Sequence, residues 1–128
     1  MDSLENMEIV RRLMEEVLGQ GHLALLPDLV ADSYVGHLAI GDHYGPGGVR
    51  IEVVTYRRAF PDLVVTLEDL LAEGEKVVRR FTLRGTHQRS FLGVAGSGRA
   101  VVLRGIAIDR LAGGRLVESW VQIDDLPG

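Results

Sequence analysis

The 128-residue chain contains no cysteine. Disulfides, thiolate nucleophiles and cysteine metal sites are thereby excluded, and the four histidines, His22, His37, His43 and His87, are too scattered for zinc-type ligand spacing. Basic residues are in the minority, 14 against 18 acidic, so the net charge of −4 offers no electrostatic footprint for nucleic acid or for an anionic membrane. No apolar run approaches the ~20 residues that a bilayer-crossing helix needs. Residues 1–21 carry Glu5, Glu8, Glu15 and Glu16, and thus neither the basic start nor the apolar run of a secretory leader; a cytoplasmic location is expected. Aromatics make up only 5% of the chain, so any cavity is expected to be walled by Val, Leu, Ile and Ala more than by stacked rings.

What remains is an ordinary globular composition, 46% hydrophobic and 25% charged, at a length that buries one sizeable core without cross-links. A single domain over 1–128 is expected. The 16 glycines fall at turns, with no repeat, linker or low-complexity block.

Asp2 and Glu5 form a capping-box pattern, and Ile9, Val10, Leu13, Met14, Val17 and Leu18 recur at helical spacing until Gly19 and Gly21. A short second helix is expected over Leu23 to Ala31, with Pro27 breaking it or standing in its first turn. Tyr34 to Ile40 reads as a strand, and residues 41–48 as a loop. Gly45-Pro46-Gly47-Gly48 lacks the Lys-Ser/Thr ending of a phosphate loop and is read as a turn leading into a third helix, marked by Val49, Val53, Tyr56 and Phe60 and ended by Pro61. From Leu63 onward, β-branched and leucine-rich runs alternate with glycine turns, the pattern of a strand meander. Helices first and strands afterwards argue for an α+β fold, with helices packed on one face of an antiparallel sheet.

The last hairpin carries most of the site reading. Leu111-Ala112-Gly113-Gly114-Arg115 suits a type I turn with Gly114 in a G1 bulge, pairing 111 with 115 and placing odd-numbered residues of both strands on one face. A two-residue Gly-Gly turn would shift this register by one. The odd face carries Leu103, Gly105, Ala107, Asp109, Val117, Ser119, Val121 and Ile123, and the other face of the last strand carries Glu118, Trp120, Gln122 and Asp124.

Phe60-Pro61-Asp62-Leu63, Arg80, Gly85-Thr86-His87, Phe91-Leu92-Gly93, Arg104-Gly105-Ile106 and Val117-Glu118-Ser119-Trp120 follow one another in an order and spacing that resembles the SnoaL-like polyketide cyclase and ester cyclase family. The match runs from about Tyr34 to Asp125. The resemblance implies the cone-shaped α+β fold shared with ketosteroid isomerase and nuclear transport factor two, in which helices and a strongly curved sheet enclose a pocket. It also implies a small apolar substrate bearing a carbonyl group and acid/base chemistry without a cofactor. In the family's aldol cyclases an Asp and a His on the last two strands handle the substrate's protons, and this chain has Val121 and Ala107 there. Relatives commonly have Pro-Thr-Gly where this chain has Ala95-Gly96-Ser97-Gly98, and His where it has Ser119.

The polar groups left to act are His37, on the strand where relatives place a His or Asn facing the cavity, Asp109, and His87 at a strand end. Each has a bland alternative: a surface or structural histidine at 37, a solvated strand-end carboxylate at 109, a His87 that fixes the Gly85 turn. Tyr56, Ala107, Ser119, Val121 and Ile123 are expected to line the pocket. Arg80 is expected on the outer face, paired with a carboxylate such as Glu118, and Trp120 with Arg80 and Thr82 is expected to form a homodimer surface. The alternatives to an enzyme of polyketide-cyclase type are a non-catalytic module that binds a hydrophobic ligand, or an isomerase or hydrolase of the same superfamily.

Overall fold

In a computed structural model, which describes residues 2–124, the chain places helices against one face of a six-stranded sheet. The fold is α+β. Helix α1 (Ser3–Arg12) begins where the Asp2 carboxylate accepts a hydrogen bond from the Glu5 backbone N–H at 2.8 Å. The same apolar stripe then continues through a π-helical segment, Leu13–Leu18, which buries Met14, Val17 and Leu18. Its end is tied down by Arg57, whose Nη1 donates to the carbonyls of Leu18 and Gly19 at 3.0 Å each, satisfying acceptors that a helix C-terminus leaves over.

The second helix is shorter than its pattern suggests. A 3₁₀ turn (Leu23–Leu25) leads into α2 (Leu26–Leu29) with Pro27 in the first turn, and Val30 already belongs to strand β1 (Val30–Leu38). The expected loop at 41–48 is in part a strand: β2 (Gly41–Tyr44) pairs antiparallel with β1, and helix α3 (Gly45–Ala59) starts directly after it. Glycine and histidine content hid β2, because an edge strand of four residues has no apolar alternation to announce it.

Strands β3 (Val64–Glu73), β4 (Lys76–Thr86), β5 (Ala100–Ala112) and β6 (Arg115–Asp124) form the meander, and the sheet order is β2-β1-β6-β5-β4-β3. The sheet is mixed and not purely antiparallel, because β1 docks parallel to β6. Two of the motifs that carry the resemblance meet where β4 ends. The Asp62 carboxylate accepts both the backbone N–H and the hydroxyl of Thr86 at 2.7 Å, so Pro61-Asp62 clamps Gly85-Thr86, the task considered for His87.

The last hairpin differs in mechanism from the expected G1 bulge. Ala112 pairs with Arg115 across a two-residue Gly113-Gly114 turn with both φ positive, 59° and 81°, the geometry that matches strand twist in tight hairpins. A bulge between Arg110 and Leu111 on one strand and Leu116 and Glu118 on the other then absorbs the one-residue shift. Val117 is the extra residue, Leu116 is buried in its place, and beyond the bulge Asp109 faces Ser119, Ala107 faces Val121 and Gly105 faces Ile123. Odd residues do point inward along the site.

The core lies between this inner face and the helices: Val10, Met14 and Val17 pack towards Leu83, Leu103 and Val121, all nearly inaccessible. Each such side chain contributes about 1.5–3 kcal/mol on burial. Among the described residues no helix is long and apolar enough to cross a membrane.

Candidate functional site

The layer between helices and sheet is not completely filled. A cavity of about 40 Å³ lies under α1, the π-helical segment and α3, with Leu13, Met14, Val53, Leu83, Val121 and Ile123 among its apolar walls. One end is polar, and there Tyr34, Glu52, Tyr56, Arg79, Asp109 and Ser119 converge from five elements.

Each arrives by simple geometry. On β1 the buried positions alternate as Tyr34, Gly36 and Leu38, so Tyr34 points inward; the Tyr34 phenol folds back over Gly36, where any Cβ would collide with it. On α3, Glu52 lies three residues after Val49 and four before Tyr56, which puts a carboxyl on the buried stripe. On β4, Val77, Arg79, Phe81 and Leu83 share the inner face, and Arg79 stands opposite Ala107. The small methyl of Ala107 leaves the guanidinium free to reach along β5 to Asp109.

That reach closes a buried network. Arg79 Nε donates to Asp109 Oδ2 at 2.7 Å and Nη2 to Oδ1 at 3.2 Å, a two-pronged pair, while Ser119 Oγ donates to Oδ1 at 2.6 Å. Asp109 and Ser119 are each only 1% exposed. Arg79 Nη1 also meets Met14 Sδ at 2.8 Å, which ties the network to the π-helical wall. The pair holds the guanidinium pKa above its usual value despite burial, because Asp109 lies against it.

Glu52 is different. Burial pushes its carboxyl up to about 7; the Arg79 charge works against this and the Asp109 charge works with it. Burial also raises both phenols, Tyr34 and Tyr56, reinforced by the nearby Glu52 carboxyl. The Tyr56 hydroxyl is buried and has no hydrogen-bond partner among the described residues. A buried donor left unmade costs roughly 1–3 kcal/mol, so this hydroxyl is poised for an incoming oxygen.

The sequence-expected residues separate into three groups. Asp109 lies in the cavity, and it is a buried, paired carboxylate rather than a solvated strand end. Tyr56, Ser119, Val121 and Ile123 line the cavity with it, while Ala107 is buried beneath without contributing lining surface. His37 does not face the cavity. Alternation along β1 sends it to the outer face, where Nε2 meets Glu118 at 2.9 Å, its ring stacks on Trp120 at 5.8 Å, and its side chain is 38% exposed. The Glu118 hydrogen bond raises the His37 pKa.

His87 is also outside the cavity: it is buried against Phe60 at 5.6 Å, its backbone bonded to Gly98 and Arg99, its Nε2 without a partner among the described residues. Arg80 is on the outer face as expected but pairs with Asp69, not Glu118. Thr82, expected at the surface, is buried.

With this geometry in hand, the family follows from the sequence match: the model of the SnoaL-like polyketide cyclases matches residues 8–127. The chain belongs to that family. Several solved structures share the fold. A candidate SnoaL-like polyketide cyclase from Jannaschia sp. CCS1 is 26% identical with a TM-score of 0.86, the match covering 95% of this chain and 87% of that one. TsrD from Streptomyces laurentii is 25% identical with a TM-score of 0.85, covering 97% and 91%. IdmH from Streptomyces antibioticus, a candidate polyketide cyclase, is 30% identical with a TM-score of 0.75, covering 93% and 91%. No curated protein matches the chain. The centre of the sheet floor, at Val121 and Ala107, is apolar, and the ionisable groups gather around Glu52, Arg79 and Asp109.

Proposed function

We propose that this SnoaL-like protein is a cofactor-independent acid/base enzyme acting on an apolar, carbonyl-bearing substrate of polyketide type, with the cavity under α3 as its site. The observation that carries this reading is the polar end of an otherwise apolar cavity, where the Tyr56 hydroxyl, without a partner among the described residues, is a donor for the substrate oxygen. The aldol-cyclase pair is replaced by Val121 and Ala107, so neither position transfers a proton. Asp109 serves by fixing Arg79, and His37 and His87 take no part.

A volume of about 40 Å³ accommodates a few water molecules, since each needs about 10–15 Å³. Substrate entry therefore moves a wall. The π-helical segment supplies Leu13, Met14 and Leu18 to that wall, and π-bulges are frequent at functional sites.

Binding tests the assignment directly. Cyclohexanone is expected to bind the wild-type protein more tightly than methylcyclohexane, and Tyr56→Phe is expected to erase that preference while retaining hydrocarbon binding. Equal affinity for ketone and hydrocarbon in the wild type overturns it. The alternative, a module that only binds hydrophobic ligands, is supported by the same apolar walls, and turnover of a bound ketone separates the two.

We also propose a homodimer through the outer sheet face. Leu71, Val78, Ile108, Trp120 and His37 are successive cross-strand partners over five strands, giving a mainly apolar row. It runs between a rank containing Lys76, Arg110 and Glu118 and another containing Asp69, Arg80 and Gln122. Both signs of charge beside one apolar row suit a two-fold contact, in which the same patch meets itself.

A further inference from the structure

We infer that Glu52, on helix α3, is the group that takes and returns the substrate's proton, doing from the helical side what Val121 and Ala107 cannot do from the sheet. The inference rests on the cavity being a carbonyl-substrate site, and its own support is positional. Glu52 lines the cavity, whereas the cavity's other carboxylate, Asp109, has its two oxygens committed to Arg79 and Ser119. Tyr34 from β1, Tyr56 from its own helix, Arg79 from β4 and Asp109 from β5 are the titratable groups that face it there, with the Ser119 hydroxyl from β6. The lining residues from α1 and the π-helical segment, Val10, Leu13, Met14 and Leu18, carry no charge.

The step balances without any further reactant. The Glu52 carboxylate removes a proton from the carbon next to the carbonyl; the C–H electron pair becomes the new C=C bond, and the carbonyl π pair moves to oxygen. Tyr56 donates a hydrogen bond to that oxygen, whose negative charge grows as the proton leaves. Glu52, now a carboxylic acid, returns a proton to carbon or to the alkoxide formed on ring closure. A carboxyl that ionises near neutrality suits both halves, since a useful acid/base group has a pKa near the working pH.

The test follows α-proton exchange of cyclohexanone in deuterium oxide by proton NMR, alongside a carbon-13 titration of the glutamate side-chain carboxyls. The wild type is expected to accelerate exchange, with a rate that rises with pH to a plateau above about 7 as Glu52 ionises. One glutamate carboxyl is expected to titrate in the same range and to shift when ketone binds. Glu52→Gln, nearly isosteric and neutral, is expected to remove that titration and to lower exchange by about two to four orders of magnitude with ketone affinity within a few-fold. Glu52→Asp, one methylene shorter, is expected to slow exchange and to keep a pH inflection. Wild-type exchange that survives in Glu52→Gln, or a Glu52 carboxyl that ignores bound ketone, overturns the assignment while leaving the cavity reading intact. A wild type that binds ketone and exchanges nothing overturns both.

Discussion

A carboxyl packed among two phenols and apolar side chains keeps its proton to a higher pH than one in water, and this links Glu52 to stability. Its pKa is raised from 4.5 to about 7 in the folded protein, so the folded state binds a proton that the unfolded chain has already released between those values. Stability from this group is therefore greatest below about 4.5, declines as pH rises to about 7, and is constant above; the shift corresponds to roughly 3 kcal/mol. Glu52→Gln lacks this slope, and urea denaturation is expected to show it gaining on the wild type between about pH 4.5 and about pH 7. Arg79→Met is expected to cost about 3–5 kcal/mol, because it strands the Asp109 carboxylate, and Arg79→Met with Asp109→Leu to recover most of that. Urea midpoints of the three proteins measure it. Both central residues were within reach of sequence pattern. Glu52 is the acidic residue on the Val49, Val53, Tyr56 stripe, and Arg79 breaks the apolar alternation of Val77, Phe81 and Leu83. They are hard to weigh there, because a charge on a buried face reads as noise until its partner on another element is known.

Elements were legible to the extent that periodicity extends over several turns or pleats. Helix α1, helix α3 and the four meander strands announce themselves in that way, and so does the inward parity of Asp109 and Ser119. Short or irregular pieces do not: β2 has four residues, α2 has four, and the π-helical widening of Leu13–Leu18 leaves the apolar spacing almost unchanged. The last hairpin shows why parity can be read correctly through a wrong turn. A two-residue turn and a bulge at Val117 restore the parity that a longer turn would have given directly. That arrangement requires φ > 0 at both Gly113 and Gly114. Gly114→Ala is accordingly expected to lower stability by about 1–2 kcal/mol, and Gly113→Asn by distinctly less, since asparagine tolerates the left-handed region. Thermal unfolding of Gly113→Ala distinguishes this turn, in which that change is expected to be destabilising, from a G1 bulge, in which residue 113 has negative φ and the change is harmless.

At the scale of the molecule, the proposed homodimer rests on the outer row from Leu71 to His37. Ile108 stands at its centre and is 40% exposed, and Trp120 beside it 38%. Light scattering at micromolar concentration is expected to give a dimer for the wild type and a folded monomer for Ile108→Glu, which puts two like charges near the two-fold axis; a monomeric wild type refutes the contact. The sheet order has a consequence for how the chain comes to be folded at all. Strand β1 is made early, but it lies between β2 and β6, and β6 is the last strand to be made. During synthesis the β1–β2 hairpin must wait for its neighbour in the sheet, while β3, β4 and β5 can already assemble by local hairpins and cover α1 and the π-helical segment, which pack on β3 and β4. The parallel seam between β1 and β6 spans the longest stretch of chain among the strand pairs, the kind of pairing whose loop-closure entropy slows folding. A nascent chain halted before Arg115 thus holds a three-stranded meander with the first helix against it and a β1–β2 hairpin that has no strand to join, and release of the final strand is what makes one sheet of the two.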